Sequence, residues 1–188
     1  MVDSSFGRRE PAMLRLIPWV DRTWSFGLPP GAFSAVLERL RGTPLRAAAL
    51  VSGVPDATLG TRAAGAWSIK DHLGHLSDLG ELDTRRLDEF LRGATMLSAA
   101  DPSNKRSEEG DHRHTAIADL LKTLEQNRQR LIRRLEVLTE GDITASARHP
   151  RLDVPLRLID WAQFVADHDD HHLAAARIGL WSHTRSVR

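Results

Sequence analysis

The sequence contains no cysteine. It therefore cannot form a disulfide framework, a thiolate metal site or a cysteine nucleophile. No stretch of 18 consecutive apolar residues occurs, so no segment predicts a transmembrane helix. Residues 1–20 lack the continuous apolar segment and the cleavage site of a signal peptide. These absences together predict a cytoplasmic protein that does not bind a membrane.

A strong charge of one sign is also lacking. Lysine and arginine number 26 against 25 acidic residues, which gives a formal net charge of +1. The basic residues are not gathered on one helical stripe, so we predict no nucleic-acid binding. With 41% hydrophobic residues, a chain of 188 residues can bury the core of one domain. We divide it into an irregular arm (1–30), a helical body (31–180) and a tail (181–188).

Apolar residues recur at helical spacing in the body, and no segment of more than a few residues alternates with period two. The pattern predicts an all-α fold, a four-helix bundle with no real sheet. The four predicted helical segments lie at about 31–41, 68–92, 117–138 and 156–179.

Local signals refine these boundaries. Gly42 interrupts the first segment, and Thr43 with Pro44 predicts a short second helix that starts there. Ser68 is a good N-cap, and Asp71 three residues later is close to a capping box. Arg128 takes the one polar slot in the apolar stripe of the third segment.

The last helix carries a dense group of histidines in "ADHDDHHLAAARI". At about 100° per residue, His168 and His172 lie on its apolar stripe and His171 on the flank. An i, i+4 pair can offer two imidazoles to one metal ion. Because burying two unpartnered imidazoles is costly, a divalent cation that accepts their lone pairs is a good explanation. The alternative is a pair of ordinary core histidines.

The second helix can supply a third ligand from His75, or from His72 in its place. Asp71 lies one turn before His75, where it either orients an imidazole or only caps the helix. His171 is a candidate acid–base group or a surface residue. Arg128 could hold an anionic substrate at the bundle mouth, or snorkel from a helix edge.

Two motifs carry a family resemblance. "GAWSIKDHLGHLSDL" and the closing "ADHDDHHLAAARI" resemble the W-S and H-x-x-x-H signatures of the DinB-like superfamily. The resemblance covers about residues 31–180 and implies a four-helix bundle, often dimeric, with a divalent metal bound by His75, His168 and His172. Asp71 stands where the family more often has Glu, and Arg177 where it has Gln.

The family's activities include thiol-dependent transfer, as in bacillithiol transferases and mycothiol-dependent maleylpyruvate isomerases, and metal-dependent hydrolysis. The resemblance therefore implies a homodimeric transferase or hydrolase that acts on a small molecule. A three-histidine site suits zinc or nickel first, with iron or manganese as alternatives. Without cysteine, any thiol must be a small molecule from solution. The competing hypothesis is a non-catalytic metal-binding stress-response or dimerisation module, which a fourth protein ligand would favour.

Overall fold

The computed structural model describes residues 15–62, 65–101, 103 and 105–186. Residues 1–14 of the predicted arm and 187–188 of the predicted tail lie outside this range, and the domain boundaries stay predictions. The helices are α1 (Phe33–Val51), α2 (Asp56–Leu59), α3 (Ile69–Asp78), α4 (Gly80–Leu91), α5 (Lys105–Glu109), α6 (Ile117–Leu135), α7 (Glu140–Thr144) and α8 (Leu158–Ser186).

Four helical columns form the body: α1, α3 continued by α4, α6, and α8. Both α1 and α3 pack against α6 and α8, so α1 and α3 lie at opposite corners of the bundle. The predicted four-helix bundle is confirmed. Within the described residues, no helix is both long enough and apolar enough to cross a bilayer.

The predicted break at Gly42 is wrong, because α1 runs unbroken through Gly42, Thr43 and Pro44. The Thr43 side chain is fully buried, and its hydroxyl donates to Asp169 Oδ2 at 2.8 Å and lies 3.3 Å from Arg39 O. Tertiary contacts thus hold a helix that local signals would end.

The second predicted helix is instead divided at Leu79 into α3 and α4. Gly80, the first residue of α4, lies where α6 comes close. A Cβ at this position would lie 2.4 Å from Asn127 Nδ2, which explains the glycine. The other two boundaries shift as well. α6 ends at Leu135 rather than Leu138, and α8 continues past Gly179 to Ser186.

A two-stranded sheet, which the sequence did not predict, precedes α8. Strand β1 (Ser146–His149) pairs antiparallel with β2 (Val154–Arg157). The strands have four residues each, too few for a period-two pattern to stand out. This hairpin lies beside the first turns of α8 because Leu158 N donates to Ala145 O at 2.9 Å.

The core consists of two hydrophobic clusters separated by a polar layer. One cluster surrounds Trp161 and the other surrounds Leu73. Between them lie Arg128 of α6 and Asp169 of α8, which are 1% and 0% exposed. The polar layer therefore crosses the middle of the bundle, at the level of the α8 histidines.

The end of the arm is tied to α8 through the carboxylate of Asp160. Asp160 Oδ1 accepts hydrogen bonds from Gly27 N at 2.9 Å and Leu28 N at 3.0 Å. Further along the arm, Trp19 and Trp24 pack against the ring of Phe164, at centroid distances of 5.1 and 4.8 Å. The arm thus lies over the part of α8 that carries the histidines.

The contact at Gly80 predicts a measurable difference between two helical glycines. We expect Gly80→Ala to lower the free energy of unfolding by about 1–3 kcal/mol, because its methyl group would overlap Asn127. Gly42→Ala is the control, because only Arg46 Nε lies near its added Cβ, at 3.7 Å. It should be neutral or stabilise by up to about 1 kcal/mol. Urea unfolding would measure the change in unfolding free energy for both variants. Equal losses of stability in the two would contradict the packing argument.

Candidate metal centre

Helix α3 begins with a complete capping box that fixes the direction of its histidines. Ser68 Oγ accepts a hydrogen bond from Asp71 N at 3.1 Å, and Asp71 Oδ2 accepts one from Ser68 N at 2.8 Å. Both residues are buried. The cap anchors the first turn, so that His72 and His75 project toward α8.

The structure brings His75, His168 and His172 together. One ring nitrogen from each lies within 4.8 Å of the other two. The Nε2 atoms of His168 and His172 are 3.1 Å apart. Two nitrogen ligands of one ion, each at about 2.0–2.1 Å, would be about 2.9–3.4 Å apart for bond angles of about 90–110°. This donor set fits a divalent metal.

Burial keeps these imidazoles neutral, as metal ligands must be. It lowers the pKa of His75 to about 4. For His168 and His172, burial and the neighbouring histidines hold the pKa well below its usual value of 6.5, and Arg128 adds to the effect on His168. The nitrogen lone pairs are therefore available at neutral pH without competition from protons.

A hydrogen-bonded relay orients His75 from behind. His75 Nδ1 lies 3.0 Å from Ser107 Oγ, which donates to Asp78 Oδ2 at 2.8 Å. The same carboxylate oxygen is 2.9 Å from His112 Nε2. The His112 ring packs so closely on α3 that a Cβ on Gly74 would lie 2.2 Å from it. With Nδ1 held in this way, Nε2 of His75 is free to face the other two histidines.

His72 is not part of the central group. Its Nδ1 lies 3.0 Å from His172 Nδ1, on the side of that ring opposite His168. It supports His172 as Ser107 supports His75. Burial lowers the pKa of His72 to about 4. Trp67 covers this side, with ring centroids 5.1 Å from His75 and 5.8 Å from His172.

Trp19 of the arm covers the other side. Its ring meets His168 edge to face at 4.7 Å and lies 5.5 Å from His171. His171 is half-buried and touches the His172 ring at 5.3 Å. Burial, then the charge of Arg22, lowers the pKa of His171. His171 therefore borders the centre, and an acid–base role for it stays a prediction.

Asp71 does not orient any of the three histidines through a hydrogen bond. Beyond the capping box, its Oδ2 accepts from Arg62 Nε at 2.6 Å. These hydrogen bonds outweigh burial and lower the pKa of Asp71. The carboxylate is occupied with starting the helix, the second of the two roles considered for it.

Arg128 lies in the interior rather than at a mouth or a helix edge. Its guanidinium donates to Asp169 Oδ1 and Oδ2 at 2.6 and 2.9 Å and to Asp83 Oδ2 at 2.8 Å. Snorkelling is therefore wrong, because the side chain is only 1% exposed. With both neighbouring carboxylates bound to the same guanidinium, Arg128 holds α4, α6 and α8 together, and a contact with substrate is not supported.

Sequence reasoning missed the relay of Ser107, Asp78 and His112 and the covering role of Trp19. Ser107 and His112 belong to residues 93–114, a polar segment of the sequence in which no period indicates direction and in which the structure places Ser107 in α5. Asp78 lies about one turn after His75 in the sequence. This spacing was the only feature of the sequence that could have indicated a carboxylate near the His75 ring.

The model of the DinB superfamily matches residues 39–176 of this chain. Bacillus subtilis YfiT, described as a probable metal-dependent hydrolase with an unusual four-helix bundle topology, superposes with a TM-score of 0.74 at 19% identity, covering 84% of this chain and 91% of YfiT. A Streptococcus pneumoniae protein superposes with a TM-score of 0.61 at 10% identity, over 83% and 91% of the two chains. At these identities the structures show a common fold. No curated protein matches the sequence.

The lowered pKa of His75 predicts how the metal-free protein responds to acid. Above pH 6.5 the ring is neutral in both the folded and the unfolded chain. Between pH 6.5 and 4 only the unfolded chain takes up the proton, so stability is lost as the pH falls. We expect a loss of about 3 kcal/mol from this group. Urea unfolding at pH 7 and pH 4.5 with a chelator would measure it. His75→Asn should reduce the dependence by about the share of this one group, because His72, His168 and His172 also have lowered pKa values, and His114→Asn, at an exposed site, should not reduce it.

The pairing of Arg128 predicts a large stability effect. Arg128→Met would leave two buried carboxylates without their cation, and we expect a loss of about 3–5 kcal/mol in unfolding free energy. Arg41→Met removes an exposed arginine that pairs with Glu38 and Glu136, and should cost less than about 1 kcal/mol. Similar losses for the two variants would refute a structural role for the buried network.

Proposed function

Since this chain belongs to the DinB superfamily, we propose that it is a divalent-metal-dependent enzyme that acts on a small molecule at the centre formed by His75, His168 and His172. The hypothesis includes two reactions, hydrolysis and transfer of a small-molecule thiol. The description of YfiT as a probable metal-dependent hydrolase supports the first.

The observation that carries this proposal is the incomplete set of protein ligands. Within the described part of the chain, three histidines approach a common point, and no carboxylate joins them. Three ligands leave at least one coordination position for water or substrate, as in catalytic zinc sites. A structural site would be closed by a fourth ligand, so the geometry favours an enzyme over the metal-binding stress-response or dimerisation module.

A divalent ion held there would acidify a water or thiol that it binds. The protein's own groups supply orientation and access. Ser107 and His72 fix the ring positions of His75 and His172, while Trp19 and Trp67 restrict water on two sides. A cavity of about 180 Å³ borders His75 on the side of Asp78 and Ser107, opposite the ring nitrogen that faces the other two histidines.

Several finer predictions accompany this function. Zinc or nickel remains the expected metal, with iron or manganese as alternatives, and a low-molecular-weight thiol is the expected co-substrate of a transferase. The homodimer and the cytoplasmic location also stay predictions.

Metal content tests the centre directly. We expect about one divalent ion per chain in the purified protein, and its loss in His75→Ala, His168→Ala and His172→Ala, because each substitution removes one of three ligands. His114→Ala is the control, since that histidine is exposed and pairs with Asp111. Elemental analysis provides the measurement. A wild-type protein that stays metal-free after incubation with zinc, nickel and manganese would sink the proposal.

Cobalt loading separates the two reactions. If a thiol such as 2-mercaptoethanol binds the cobalt-loaded protein, a thiolate-to-cobalt absorption band should appear, which supports transfer. A spectrum that changes with pH but not with any thiol would leave hydrolysis as the function. A spectrum that responds to neither would mean a closed site, and the enzyme hypothesis would fail.

A further inference from the structure

An arginine without a carboxylate partner lies near the metal centre. The guanidinium of Arg151, in the turn of the hairpin, lies 5.8 Å from the Trp19 ring and 5.7 Å from the Phe164 ring. Trp19 in turn lies 4.7 Å from the ring of His168. The distances from the Trp19 ring to the Arg151 guanidinium and to the His168 ring add up to 10.5 Å. The guanidinium and the His168 ring are therefore at most 10.5 Å apart.

Among the described residues, no acidic side chain forms an ion pair with Arg151. Arg22 makes an instructive contrast, because it packs on the same tryptophan at 5.7 Å but has Asp167 at 3.8 Å. Elsewhere on the hairpin, Arg148 donates to Asp153 at 2.6 Å. Arg151 is thus a cation held by aromatic rings, with its hydrogen-bond donors available to a ligand.

Two buried donors beside it also lack partners. Leu152 N donates to His149 Nδ1 at 3.2 Å, so the proton of this neutral ring is on Nε2. His149 is 2% exposed, and its Nε2, like Trp24 Nε1, has no hydrogen-bond partner within the described residues. The rings of His149 and Trp24 lie 5.2 and 4.8 Å from Phe164, the ring that Arg151 also contacts.

Buried N–H groups without acceptors are costly, so a site with such donors and an unpaired guanidinium is suited to a ligand rich in acceptors. The charge of Arg151 is felt at both neighbouring sites, since it contributes to the lowered pKa of His149 and of His168. An anionic group here would be stabilised by a guanidinium that is already in place.

We propose that Arg151, with the N–H groups of His149 and Trp24, forms a subsite for a carboxylate or phosphate group, so that the metal centre acts on anionic small molecules. This inference rests on the proposed function, because it assigns the substrate class of that same centre. Trp19 contacts both Arg151 and His168 and so lies next to both parts of the site.

The first test compares two thiols that differ by a carboxylate on the cobalt-loaded protein. We expect 3-mercaptopropionate to bind at least about tenfold more tightly than 2-mercaptoethanol, as for one charge-assisted contact. Arg151→Gln should abolish this preference. Arg148→Gln, on the same hairpin but paired with Asp153, should retain it. Equal affinities in the wild type, or a preference that survives Arg151→Gln, would overturn the proposal.

A second test does not depend on metal. In the metal-free, ¹⁵N-labelled protein the five tryptophans give indole N–H signals, and Trp19→Phe and Trp24→Phe would assign the two that matter. Succinate or inorganic phosphate should shift these two signals in the wild type and in Arg148→Gln, but not in Arg151→Gln, and the more effective anion identifies the group. Shifts without any metal uptake would leave the anion subsite standing and the proposed enzyme refuted. The absence of shifts with either anion would refute the subsite alone.

Discussion

The ion pairs of Arg128 are the interaction on which the rest of the structure depends. One guanidinium joins Asp83 of α4 and Asp169 of α8 to α6, and Thr43 of α1 donates to the same Asp169. A charge buried to this extent is tolerated only when its partners are in place. The four helical columns are therefore held in one register at the level of this layer, which general hydrophobic packing would not specify as closely.

The metal centre benefits from that register. Asp169 is flanked in sequence by His168, so the ion pair that fixes Asp169 also fixes the rotation of α8 about its axis. A small rotation would move His168 and His172 away from His75, which comes from a different helix. Arg128 also helps to keep His168 deprotonated, since its charge lowers the pKa of that ring. The buried Arg128 side chain thus both fixes the position of α8 and lowers the pKa of His168.

Helical periodicity explains why the two histidines of α8 could be predicted to face the interior from the sequence alone. It fixes which face each residue takes, and it placed His168 and His172 in the interior without knowledge of the loops. It left His75 and His72 as alternatives, and the choice of His75 came from the family resemblance. The same reasoning failed for Arg128, because a period shows that a polar residue faces inward but not that Asp83 and Asp169 lie opposite. Ser107 and His112 could not be found either, because their positions depend on the path of a loop.

The least regular segments of the sequence surround the site. The arm supplies Trp19, the hairpin supplies His149 and Arg151, and the short helix α5, in the connection between α4 and α6, supplies Ser107. A helical scaffold can hold three ligands rigidly. Its inward faces, however, are used for core packing and offer few side chains that could contact a substrate. Segments outside the helices can change without disturbing the ion pairs at the centre of the bundle. The proposed function therefore assigns metal binding to the bundle, and the proposed anion subsite assigns the choice of substrate to the arm and the hairpin.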